Sequence, residues 1–119
     1  MIQTFGSALR SQGDLTVIDL SGVINGLADQ ELNAIYDQAE ASGAITIALN
    51  FSRVDYINST GIALLVGLVA RTMKAGRKIV AFGLSEHYLE IFQITRLADF
   101  IKVYSDEASL LAELNAGGD

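Results

Sequence analysis

The sequence predicts an α/β domain built on a four- to five-stranded mixed sheet, with its helices packed mainly on one face. Three observations lead there. Two short, apolar, β-branched runs, "AITIALNF" (44–51) and "RKIVAFG" (77–83), have the composition of strands covered on both sides. Between and after them lie segments whose apolar residues recur at helical spacing. Strands alternating with helices from residue 44 onward imply right-handed crossovers and a mostly parallel sheet, to which an N-terminal hairpin adds an antiparallel edge.

The elements follow in order. Ile2 to Leu9 is mixed in character, while "LTVIDLSG" sets Leu15, Val17 and Asp19 against Thr16, Ile18 and Leu20; Gly13-Asp14 between the two reads as a hairpin turn. In "DQELNAIYDQAEASG", Leu32, Ile35, Tyr36 and Ala39 share one helical face, Asp29, Gln30, Asn33, Asp37 and Glu40 fill the other, and Gly43 ends the helix. The run 44–51 is the expected central strand, and a second helix starts near Ser59. After the strand at 77–83, Ser85 is the expected N-cap of a third helix running to about Gln93, with Leu84 stapled to Leu89. Phe100 to Tyr104 reads as a strand. Ser105 then caps a last helix, with Asp106 and Glu107 at its positive end and Leu110, Leu111 and Leu114 apolar.

The chain has 119 residues and no evident linker or internal repeat, which fits a single domain, 1–119, with 117–119 as a frayed tail. Half of the residues are apolar, so a real core can form without help from metal or disulfide. The net charge of -6, with eight scattered Lys and Arg, disfavours nucleic acid and anionic membranes as partners. Having no cysteine, the chain forms no disulfide, thiolate metal site or cysteine nucleophile. Met1-Ile-Gln-Thr-Phe lacks the basic and apolar regions of an export signal. The longest apolar run, Gly61 to Ala70, is about half of the ~20 residues that a spanning helix needs. The expectation is a soluble cytoplasmic protein without membrane insertion, resident metal or cofactor.

"YINSTGIALLVGLVARTMKAG" (56–76) is the segment that bears on function, because a greasy helix opens there on Asn-Ser-Thr-Gly. A helical wheel puts Ile62, Leu65, Val66, Val69 and Met73 in one sector, read as facing the sheet. Leu64, Leu68 and Arg71 lie opposite and form a candidate partner-binding surface, or else scattered surface residues. Asn58 is a good N-cap, which makes Ser59 and Thr60 the first helical residues, with Gly61 leaving the approach uncrowded. The local physics admits ordinary capping. It also admits a phosphate on Ser59, since unpaired N–H groups and the positive helix end stabilise anions by roughly 0.3 to 1 kcal/mol, while the phosphate adds ~1.5 to 2 negative charges.

"LSGVINGLADQEL" and "LNFSRVDYINSTGIALLVGLVARTMKAGRKIVAFGLSEHYLEIFQITRLADFIKVYSDEASLL" together resemble the STAS family of bacterial anti-sigma factor antagonists. The likeness runs from about Leu15 to Leu114, in order and with compatible spacing. It implies the STAS fold and a phosphorylation switch: the family's phosphorylated serine falls on Ser59, with Thr60 as the alternative acceptor, and its glycine on Gly61. It further implies a GHKL-type anti-sigma factor serine kinase that binds the unmodified protein and phosphorylates it, and a PP2C-type phosphatase that restores the serine. ATP and magnesium then belong to the kinase. Two positions depart from the family: Asn58 stands where an Asp usually precedes the serine, and Asn25 stands where an Asp usually ends the Gly-x-x-Asp turn counted from Gly22.

Enzymatic function has little behind it. Ser59, His87 and Asp55 form the only tempting trio, and the chain has no Gly-x-Ser-x-Gly elbow, His-Glu-x-x-His or phosphate-binding Gly-x-x-x-x-Gly-Lys-Ser/Thr loop. The competing function is a non-switching STAS interaction or scaffold subunit, in a transport complex or a stress-sensing assembly. An intact Ser59 favours the switch, and Asn58 leans towards the scaffold.

Overall fold

The computed structural model describes residues 4–116. The chain forms β1 (Gly6–Gln12), β2 (Leu15–Ile24), a 3-10 turn at Gly26–Ala28, α1 (Asp29–Ala41), β3 (Thr46–Ile57), α2 (Ser59–Lys74), β4 (Lys78–Phe82), α3 (Glu86–Ile94), a second 3-10 turn at Leu97–Asp99, β5 (Lys102–Tyr104) and α4 (Glu107–Ala116). The expected tail at 117–119 lies outside the described residues, as do the first residues of the strand expected from Ile2.

The five strands lie in sequence order, β1-β2-β3-β4-β5, with β1 antiparallel to β2 and every other pair parallel. Gln12 pairs with Leu15, leaving Gly13-Asp14 as a two-residue hairpin loop whose glycine takes a positive φ of 60°. Because each parallel crossover steps in the same direction, right-handedness places α1, α2 and α3 on one face. Their side chains meet there in one core: Leu32 and Tyr36 from α1, Leu65 and Val69 from α2 and Phe92 from α3 pack on Ile18, Leu20, Ile47, Leu49 and Phe51 of the sheet. Only α4 crosses the other face, where Leu110 covers Leu15, Val17, Ala48, Val80 and Phe82. The alternation of β2 is therefore buried on both sides, and its polar end, Asp19 and Ser21, emerges beyond α4.

Three boundaries differ from expectation. β3 does not stop at Phe51 but runs to Ile57, although Ser52, Arg53, Asp55 and Tyr56 are exposed. Pairing with β2 sustains it, through Ser21↔Arg53 and on to Ile24↔Ile57. β5 begins only at Lys102, the preceding Leu97–Asp99 being a 3-10 turn. The last helix is capped by Asp106, whose Oδ1 accepts the Ser109 N–H at 2.8 Å, and not by Ser105. The other caps are as expected: Asn58 accepts from Gly61 N and Ser85 from Tyr88 N.

Candidate functional site

The parallel pair β2–β3 ends in register, Ile24 beside Ile57, so the next residues, Asn25 and Asn58, emerge together at the carboxyl edge of the sheet. That edge is where open α/β sheets present their sites. Each asparagine caps a helical turn. Asn25 Oδ1 accepts the Leu27 N–H at 2.9 Å and starts the first 3-10 turn; Asn58 Oδ1 accepts the Gly61 N–H at 2.8 Å and starts α2. The Asn58 N–H donates to the Ile24 carbonyl at 3.1 Å, which ties the two ends together. Both caps are uncharged acceptors.

Ser59 is exposed on the first turn of α2. It lines an open cavity of about 380 Å³ between the start of α2 and α3, together with Tyr56, Ile62, His87, Tyr88 and Ile91. Thr60 is exposed as well but sits on the other side, its methyl group lying over Gly26. The two side chains therefore have different surroundings. Gly61 is buried. A side chain there would run into the Ile24 carbonyl, so the glycine serves close backbone packing rather than open access to Ser59.

The cavity is braced from α3. The Tyr88 hydroxyl accepts the Ile57 N–H at 2.7 Å, one residue before the cap, and the His87 ring meets the Tyr88 ring edge-on, with centroids 4.8 Å apart. Asp55 does not line this cavity, so the cavity brings together Ser59 and His87 of the trio but not Asp55. Among the described residues no cluster of His, Cys, Asp and Glu could hold a metal ion, and no helix is long and apolar enough to cross a membrane.

The expected partner surface on α2 needs correction. Leu68 is 1% exposed and belongs to the main core, and Leu64 is half-buried against that core. Arg71 is engaged by α1: it lies 4.5 Å above the Tyr36 ring and bonds to Asp37 at 2.5 Å and Asn33 at 3.2 Å, with Glu40 at 3.4 Å. The Asp37 hydrogen bond raises the Arg71 pKa, and the guanidinium stays charged. This flank packs on α1. Val66 and Met73, expected to face the sheet, are instead 49% and 59% exposed. The wheel is centred on the bulkiest apolar residues. The buried face is Gly61, Leu65, Leu68, Val69 and Thr72, and it includes a glycine and a hydroxyl that hydrophobicity does not flag. The Thr72 hydroxyl is satisfied within the core by the Tyr36 hydroxyl at 2.5 Å and the Leu68 carbonyl at 2.8 Å.

With α2 so oriented, its exposed stripe is Ser59, Ala63, Val66, Ala70 and Met73, four or three residues apart along one side. Two residues that sequence reasoning does not single out flank the Ser59 end: Leu27, 93% exposed on the first 3-10 turn, and Tyr56, 54% exposed at the end of β3. Large apolar groups this exposed are the kind of surface a partner covers. Leu27 has one available signal, its place two residues after the capping Asn25.

Residues 7–104 match the family model described as "Mlab, STAS domain". Among curated proteins, an anti-sigma-B factor antagonist of Listeria monocytogenes is 25% identical over 93 residues, covering 78% of this chain and 82% of that protein. Among solved structures, the anti-sigma factor antagonist SpoIIAA in its unphosphorylated form superposes with a TM-score of 0.72 at 21% identity, covering 96% of this chain and 98% of the other. The Bacillus cell fate determinant SpoIIAA in its phosphorylated form superposes with a TM-score of 0.67 at 20% identity, covering 88% and 96%. The five-stranded mixed sheet and the match over residues 7–104 agree: this chain belongs to the STAS domain family.

Proposed function

We propose that the protein is an anti-sigma factor antagonist that works as a partner switch. In the unmodified state, the surface around Ser59 and along Ala63, Val66, Ala70 and Met73 binds a GHKL-type anti-sigma factor kinase in the cytoplasm. The kinase transfers the γ-phosphoryl group of ATP to Ser59 Oγ, the hydroxyl proton leaves, ADP is released, and the complex separates. A PP2C-type phosphatase hydrolyses the ester with water, returning the serine and inorganic phosphate. The protein is itself the substrate and supplies no catalysis.

One observation carries this reading: Ser59 is an exposed hydroxyl at the mouth of an apolar surface. A phosphate there adds ~1.5 to 2 charges. Docking an apolar partner would have to desolvate that charge, which costs several kcal/mol when it is left unpaired. The similarity to an anti-sigma-B factor antagonist and to SpoIIAA, a protein with a phosphorylated form, supports the same reading. A second reading, a non-switching interaction or scaffold subunit, draws on Asn25 and Asn58, which cap their turns without the carboxylates that a kinase of this family expects.

Incubation with GHKL kinases from the same genome and magnesium-ATP, followed by intact-mass and peptide mass spectrometry, tests the proposal. The expected product carries one phosphate on Ser59, and Ser59→Ala abolishes it while still binding the kinase. Ser59→Glu folds and loses affinity. Phosphate on Thr60 alone reassigns the switch residue, and no phosphate with any such kinase leaves the scaffold reading in place.

A further inference from the structure

His87 is the only histidine of the chain; it is exposed on the first turn of α3, where its ring meets that of Tyr88 edge-on. Its position is nevertheless well defined. The neighbouring Tyr88 is buried and hydrogen-bonded through its hydroxyl to the Ile57 N–H at 2.7 Å, so the start of α3 is pinned to the strand end from which Ser59 follows two residues later. As a result Ser59 and His87 line one cavity, and none of the residues lining it is acidic, lysine or arginine.

We propose that His87 is a phosphate-binding residue, which draws the phosphoryl group on Ser59 into the α2–α3 cavity and donates a ring N–H hydrogen bond to it. The inference rests on the reading of Ser59 as the modified residue. Its cause is the make-up of the cavity. Ile57, Ile62 and Ile91 contribute apolar wall, and the other side-chain donors in the lining, among them Asn58 and Thr95, are neutral. Among the lining side chains, the imidazole alone can carry a positive charge, and even neutral it offers one N–H donor. A charge-assisted bond to phosphate is stronger than a neutral one, and with no carboxylate in the lining nothing there competes for the imidazole. The phosphate then occupies the cavity between α2 and α3 in addition to charging its rim, and it lies away from Thr60 and Gly26.

The test installs phosphoserine at position 59 during translation, in the untagged full chain, so that no kinase is required. With a single histidine, the ring 15N and 1H resonances are assigned without ambiguity. The expected result is that they move between the unmodified and the phosphorylated protein. The 31P resonance of the phosphoprotein should shift to that of a phosphoserine peptide in His87→Ala and stay near the parent position in His87→Gln, which keeps a donor. Unchanged ring resonances on phosphorylation overturn the proposal. So does a 31P resonance indifferent to His87→Ala, even if the ring has moved. Both variants alter an exposed side chain, and an unaltered amide spectrum confirms the fold. If no kinase modifies Ser59, the switch fails as a function while this measurement still decides whether His87 holds the phosphate.

Discussion

Gly61 packs directly on the backbone of Ile24: a methyl group added to Gly61 would drive into the Ile24 carbonyl oxygen and come within 2.9 Å of the Ile57 side chain. The same carbonyl accepts the Asn58 N–H at 3.1 Å. The third residue of α2 is thus wedged against the end of β2, which sets where the helix begins and where Ser59 is held. Gly61→Ala should destabilise the protein by about 1–3 kcal/mol, because two backbones would have to separate, even though alanine gains about 1 kcal/mol in helix propensity. Urea denaturation measures it; an unchanged or raised midpoint would mean that the wedge is loose.

The rotation of α2 about its axis gives a paired prediction. Leu68→Asp puts a carboxylate into the main core and should cost more than about 3 kcal/mol, a large share of the roughly 5–15 kcal/mol that holds a typical domain. Val66→Asp changes an exposed position and should shift stability by about 0.5 kcal/mol or less, while weakening partner binding. Urea denaturation followed by circular dichroism and a pull-down with the proposed kinase partner separate the two. A Leu68→Asp protein as stable as the parent would return Leu68 to the outer face of the helix.

Arg96 has a positive φ of 66° and is the only non-glycine among the described residues to do so. It follows the C-cap of α3, where glycine is the preferred residue because a Cβ is strained in the left-handed region. Its side chain pairs with Asp99 at the surface, a contact that contributes little. Arg96→Gly should therefore raise the melting temperature by a few degrees, as read by calorimetry. A fall would show that the Asp99 contact outweighs the backbone strain.

On the sheet face beyond α4, Asp19 takes two hydrogen bonds from Arg10, at 2.6 and 2.9 Å, and one from Asn50 at 2.8 Å; Arg10 continues to Glu107 on α4. The Arg10 hydrogen bond is the chief reason that the Asp19 pKa lies below the usual carboxylate range. A group whose pKa is lower in the folded than in the unfolded chain stabilises the fold above its unfolded value, near pH 4, and loses that contribution as the pH falls through the folded value. Stability should decline on acidification below about pH 4, and the decline should be shallower in Asp19→Asn. Denaturant midpoints from pH 6 to pH 2 measure it, and parallel curves for the two proteins would rule Asp19 out as a source.

Much of the architecture was determined by the sequence alone, where local chemistry and periodicity suffice. The run 44–51 holds the start of the central strand, at Thr46, α1 and α2 begin at Asp29 and Ser59, and Asn58 and Ser85 cap the helices that come after them. These features depend on neighbours within a few residues, which composition and spacing report directly. The tertiary structure decided the rest. The second half of β3 carries exposed polar side chains, so only its register with β2 makes it a strand and brings Asn25 beside Asn58. The face that α2 buries depends on which of its flanks meets α1: Arg71 lies over Tyr36 and Leu68 goes inside, while Val66 and Met73 come out. His87 and Ser59 are far apart in sequence and line one cavity because Tyr88 bonds to the backbone of Ile57. A helical wheel ranks side chains by hydrophobicity, but burial follows the shape of the neighbouring element. A small Gly61 or a hydrogen-bonded Thr72 can therefore lie inside while a valine remains in water.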